Sequence, residues 1–165
     1  MKQVPKLFIP GPVTVHPEIT EAMSRPMIGH RTPEFSELFR EVVSGVQDVL
    51  QTKNHVYLGT NTATGFMEAA VRNIVKKRAL NLVCGAFSLR WHHITTGCGF
   101  EADSVGVDWG NAITPEHVKM ALDEAEYDVV SIAHNETSTG VMNPLGEIVK
   151  VIREHSDALI LVDAV

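Results

Sequence analysis

Short apolar runs alternate with helix-patterned segments from His55 to Val165, and this alternation sets the fold class. The runs are His55–Gly59, Ala79–Cys84, Ala102–Val107, Asp128–Ala133 and Ala158–Asp163. They are rich in β-branched and apolar residues, as strands buried in a parallel sheet are. Between the later runs the apolar residues recur at helical spacing, as in Leu145, Ile148, Val149 and Ile152. Thr114-Pro115-Glu116 carries a cap, a proline at the first helical position and an early acid. Strand, helix, strand in repetition predicts an α/β protein. Its sheet is mainly parallel, with helices on both faces, in three layers.

Ligands of open α/β sheets sit at the carboxyl ends of the strands. Two such ends here are polar. The first is His134-Asn135-Glu136-Thr137-Ser138-Thr139-Gly140-Val141, dense in hydroxyls and amides; the second is Asp163, which closes an otherwise apolar run. A carboxylate there is costly unless something pairs with it, although a strand-end Asp also serves as a helix cap. A third polar turn, Thr60-Asn61-Thr62-Ala63-Thr64-Gly65, leads into a helix. Small residues before a helix N-terminus let backbone N–H groups approach an anion, so this turn reads as a phosphate cup; Thr and Asn are also ordinary caps. The sequence has no Gly-x-Gly-x-x-Gly and no P-loop.

Composition narrows the partners. The 165 residues carry a formal net charge of −6 and are 44% hydrophobic. A negative balance argues against nucleic acid and against an anionic membrane surface. No apolar run has membrane-spanning length, and the N-terminus lacks the apolar core of a secretory signal. Cys84 and Cys98 fit no metal or redox spacing. A cytoplasmic location is the expectation. His92 and His93 are adjacent, and neighbouring helix positions diverge too far to face one ion easily. No metal site is expected.

Residues 1–15 hold three prolines and a glycine and read as an irregular arm. Pro17–Ser24 reads as a short helix. A longer one runs from Pro33 to Leu50, where Phe35, Leu38, Phe39, Val42, Val43, Val46, Val49 and Leu50 trace one broad apolar face.

His134-Asn-Glu-Thr-Ser-Thr-Gly-Val141, followed by Leu161-Val-Asp-Ala-Val165, closely resembles the class V aminotransferases that bind pyridoxal phosphate, in particular the serine–glyoxylate and alanine–glyoxylate group. The resemblance covers nearly the whole chain from Pro10-Gly11-Pro12 onward. It implies the large domain of PLP fold type I, with residues 1–15 an arm and 16–165 part of that domain. It implies that Thr62, Ala63 and Thr64 contact the cofactor phosphate, although Ala63 stands where the family often has glycine. It further implies that Phe87 stacks on the ring, that Asp163 bonds the pyridine nitrogen and that Thr137 contacts cofactor or substrate. Gly11, Gly29 and His30 correspond to substrate-side loops. Around Phe87, the residues Cys84, Ser88 and Leu89 depart from the family pattern.

The implied reaction is transamination between serine or alanine and a 2-oxo acid, glyoxylate or pyruvate, in a homodimer. Cysteine desulfurases of the same superfamily are the nearest alternative, but they stack a histidine on the ring and read Asp-Ala-Ala-Gln at the strand end. None of the seven lysines stands in the family's Schiff-base context. The chain therefore resembles the N-terminal part of such an enzyme, without the C-terminal part of the large domain or the small domain. Alone it is expected to be inactive. A noncatalytic PLP-binding remnant is the reading from a different class.

Overall fold

The computed structural model describes residues 6–165. They form two compact units, one ending at Thr60 and the other spanning Asn61–Val165.

The first unit carries α1 (Pro17–Met23) and α2 (Pro33–Leu50). Both begin with proline at the first helical turn, where a missing N–H costs nothing. The Thr32 hydroxyl accepts from the Phe35 N–H at 3.3 Å and caps α2. No residue of α2 is buried, and Leu38 and Phe39 on its apolar face remain nearly half exposed. His55–Gly59 forms no strand, contrary to the sequence expectation. A run of β-branched residues becomes a strand only through a ladder partner. The strands of the second unit pair with one another.

The second unit runs α3 (Ala63–Ile74), β1 (Arg78–Val83), α4 (Ala86–Gly97), β2 (Glu101–Gly106), α5 (Pro115–Glu124), β3 (Val129–Ala133), β4 (Asn135–Glu136), β5 (Val141–Met142), α6 (Leu145–His155) and β6 (Leu159–Asp163). Four strands form a parallel sheet in the order β2-β1-β3-β6. The central strands β1 and β3 are buried on both faces, which is why their sequences are mostly apolar rather than alternating.

Side chains alternate across the sheet. Leu80, Leu82, Val130 and Ile132 pack with Val118 and Ala121 of α5 and with Ile148 and Ile152 of α6. Ala79 and Val129 point the other way, to Met67 and Val71 of α3 and Trp91 of α4. Three layers result, with helices on both faces as the sequence predicts. The two central strands each bury one polar residue, Asn81 and Ser131. Ser131 Oγ donates to Asn81 Oδ1 at 2.8 Å, and Asn81 Nδ2 donates to the Asp103 carbonyl at 3.1 Å, so neither residue is left unpaired.

The amino ends of β1 and β3 are locked by Asp128. Its Oδ2 accepts the N–H groups of Lys76, Lys77 and Arg78 at 3.1, 2.5 and 2.9 Å. Burial pushes this carboxyl up, but the three amides outweigh it and hold the pKa below the ordinary aspartate value.

Candidate active site at the carboxyl edge of the sheet

β1, β3 and β6 deliver their carboxyl ends to one edge. β3 continues into a hairpin in which Asn135 faces Met142 and Glu136 faces Val141. Two-residue strands carry no alternation, so this hairpin has no signature in the sequence. Asn143 fastens its far side: Nδ2 donates to the Ala133 carbonyl at 2.7 Å and Oδ1 accepts from the Ile113 N–H at 2.8 Å.

Glu136 is fully buried within this hairpin. Its Oε2 accepts from the Ser88 N–H and the Ser88 hydroxyl, both at 2.8 Å. Its Oε1 accepts from the Ser138 hydroxyl at 2.6 Å and the Phe87 N–H at 3.2 Å. The carboxylate thus fills the anion position at the N-terminus of α4. Burial raises its pKa, while the bonds from Ser138, Ser88 and Phe87 lower it and prevail. Gly85 stands against this group: a Cβ there would lie 2.5 Å from Glu136 Cγ and 2.5 Å from Ser138 Oγ. Only glycine allows that approach.

The N-terminus of α3 is different. Thr62 caps it, its hydroxyl accepting from the Gly65 N–H at 3.4 Å. No side-chain carboxylate accepts from this turn among the described residues. The hydroxyl of Thr64 accepts from Arg90 Nη1 at 2.8 Å. The Arg90 guanidinium in turn lies 4.9 Å above the Phe87 ring centroid.

Asp163 ends β6 opposite Ala133. Its carboxylate Oδ1 accepts from the Val165 N–H at 3.1 Å. Among the described residues it forms no ion pair. It borders a cavity of about 400 Å³ whose wall includes Ala63, Phe66, Met67, Trp91 and Val165. Trp91 is buried and its Nε1 has no hydrogen-bond partner among the described residues.

Some of the residues singled out from the sequence are linked in space. Ala63 and Asp163 share a cavity, Arg90 joins Thr64 to Phe87, and Glu136 joins Phe87 to the neighbour of Thr137. Thr137 is exposed, and the hairpin is held by its neighbours instead. Gly11, Gly29 and His30 belong to the unit that ends at Thr60. Sequence reasoning passed over Glu136, Arg90 and Trp91. Glu136 looked like one more polar residue in a polar loop, and the only available hint was a glutamate beside so apolar a strand. His92 and His93 have ring centroids 6.2 Å apart and tilted planes.

The sequence pattern of the family described as aminotransferase class-V matches residues 16–165. The chain belongs to the class V aminotransferase family. It is 42% identical to an uncharacterized aminotransferase of Methanocaldococcus jannaschii, over 96% of this chain and 42% of that protein. It is 32% identical to an L-aspartate–glyoxylate aminotransferase of Paracoccus denitrificans, over 96% of this chain and 42% of that protein. The crystal structure of the ureidoglycine–glyoxylate aminotransferase of Bacillus subtilis superposes with a TM-score of 0.89 at 29% identity, covering 100% of this chain and 44% of that one. This class V aminotransferase chain thus spans about two fifths of the length of the relatives it matches, in the glyoxylate aminotransferase group and with the fold of PLP type I enzymes. The family depends on pyridoxal phosphate. The residue types present fit that group: small residues and threonines at the N-terminus of α3 for a phosphate, the Phe87 ring for an aromatic ligand, and the Asp163 carboxylate, which forms no ion pair among the described residues, for a ring nitrogen.

Proposed function

We propose that this chain supplies the cofactor-holding part of an aminotransferase that moves an amino group between serine or alanine and a 2-oxo acid, glyoxylate or pyruvate. Pyridoxal phosphate, when bound, supplies the electron sink that transamination requires. Thr62, Ala63 and Thr64 hold the phosphate through the first-turn amides of α3 and the threonine hydroxyls. Phe87 stacks on the ring. Asp163 accepts a hydrogen bond from the pyridine nitrogen and keeps its proton in place; a charge-assisted bond of this kind contributes about 1.5–3 kcal/mol. Thr137 donates to cofactor or substrate, and Gly11, Gly29 and His30 border the substrate.

Further proposals concern the whole protein: residues 1–15 as an arm, 16–165 as part of the large domain, assembly as a homodimer and a cytoplasmic location. Among the described residues no helix is long and apolar enough to cross a membrane. An aromatic at position 87 and Ala164-Val165 after the aspartate favour transamination over cysteine desulfuration.

One observation carries the reading: Asp163 shares its cavity with Ala63 of the cup and meets no cation of its own. The test is a titration of the chain with pyridoxal phosphate, followed by tryptophan fluorescence and absorbance. Asp163→Asn is expected to weaken binding about tenfold or more and to shift the cofactor spectrum, in a variant that stays folded. Equal affinity and an identical spectrum in wild type and variant would remove Asp163 from the site.

A further inference from the structure

Arg90 is the point at which the two ends of the proposed site meet. It lies one helical turn beyond Phe87 on α4, half-buried, with its Cζ 4.9 Å above the Phe87 ring. Its Nη1 donates to Thr64 Oγ1 at 2.8 Å, on a different helix. Among the described residues no carboxylate lies within ion-pair distance of it, so its charge is not spent on a local partner. An arginine held by an aromatic face and a neutral hydroxyl, on a chain of net charge −6, is placed by geometry rather than by charge pairing.

We propose that Arg90 is a positioning residue that holds the phosphate cup and the stacking aromatic at one fixed spacing. The proposal rests on reading the carboxyl edge as a pyridoxal phosphate site. Three physical consequences follow from the contacts. The planar guanidinium fork is rigid, so it sets the distance between α3 and the Phe87 ring better than a flexible ammonium can. Because Arg90 donates to Thr64, the threonine keeps its own hydroxyl hydrogen for another acceptor, and the adjacent charge polarises that O–H toward an anion. The guanidinium also covers one face of Phe87 by a cation–π contact, which leaves the opposite face for a ligand ring.

The test compares Arg90→Met, Arg90→Lys, Thr64→Val and the Arg90→Met/Thr64→Val double variant. Each is titrated with pyridoxal phosphate and with pyridoxal, which lacks the phosphate, with tryptophan fluorescence as readout and circular dichroism as the check on folding. Arg90→Met is expected to weaken pyridoxal phosphate binding about tenfold and pyridoxal binding less, a loss comparable to one charge-assisted hydrogen bond. Arg90→Lys is expected to recover part of that loss. The double variant is expected to bind more weakly than Arg90→Met, because Thr64→Val also takes a hydroxyl from the phosphate, but by less than the sum of the two single losses, because both changes break the same strut. Wild-type affinity in Arg90→Met, or losses that add in the double variant, would overturn the proposal. If Arg90→Met does not fold, Arg90→Lys against Thr64→Val carries the same comparison. Absence of pyridoxal phosphate binding by the wild-type chain would remove the cofactor reading and the strut together. Binding by wild type with additive losses would remove the strut alone.

Discussion

The Glu136 carboxylate and Ser88 are joined twice: Oε2 accepts both the backbone N–H and the hydroxyl of Ser88, each at 2.8 Å. A buried anion from the hairpin after β3 thereby occupies the N-terminus of α4, whereas among the described residues no side-chain carboxylate accepts from the first turn of α3.

Glu136→Leu is expected to destabilise the unit by about 3 kcal/mol, since the Phe87 and Ser88 amides lose their acceptor in a dry site. The pH dependence has a definite sign. The folded-state pKa of Glu136 lies below the ordinary glutamate value. Its stabilisation is therefore complete above the unfolded value and is lost as pH falls toward the folded one. Urea melts between pH 7 and pH 3 check this. The wild type should lose stability on acidification more steeply than Glu136→Leu, and equal slopes would show that this carboxylate is not linked to folding.

At the opposite end of the sheet, Tyr127 donates to Asp103 Oδ2 at 2.8 Å, and the Arg78 guanidinium stands 5.4 Å over its ring. Burial, and then the bond to Asp103, raise the phenol to about 12. A raised folded-state pKa means that the bond stabilises fully below the unfolded value near 10 and is lost as pH rises through about 12. Ultraviolet titration should show a phenol ionising near 12 in the wild type, and that phase should be absent from Tyr127→Phe. Tyr127→Phe should cost about 1 kcal/mol at pH 7 and remove the high-pH transition. A high-pH phase that persists in Tyr127→Phe would contradict the geometry.

What the sequence disclosed was local. Pro33 and the apolar face through Leu50 mark both ends of α2, and an apolar run ending in Asp163 marks β6 with its polar tip. What it did not disclose was pairing. His55–Gly59 has the composition of a strand, but composition does not say whether a ladder partner exists. Glu136 meets Ser88 across 48 positions and Arg90 meets Thr64 across 26. No periodicity links such residues, because only the parallel sheet brings their loops to one edge. The roles proposed for Phe87 and Asp163 rest on family resemblance.

The last prediction concerns turnover by these 165 residues alone. Transamination through pyridoxal phosphate needs a lysine at the cofactor's carbonyl carbon, both as nucleophile and as proton carrier. The lysines of the Asn61–Val165 unit are Lys76, Lys77, Lys119 and Lys150. The backbone amides of Lys76 and Lys77 are bound to Asp128 at the amino end of the sheet, the end away from Asp163. Lys119 lies within α5, and Lys150 lies within α6, 3.9 Å from Glu154. None of the four stands at the carboxyl edge. The chain alone is therefore expected to bind pyridoxal phosphate without glyoxylate-dependent turnover. Borohydride trapping followed by peptide mapping should give scattered, low labelling of surface lysines. Stoichiometric labelling of one lysine, together with measurable amino transfer to glyoxylate, would show that the carboxyl edge recruits an amine from elsewhere in these 165 residues.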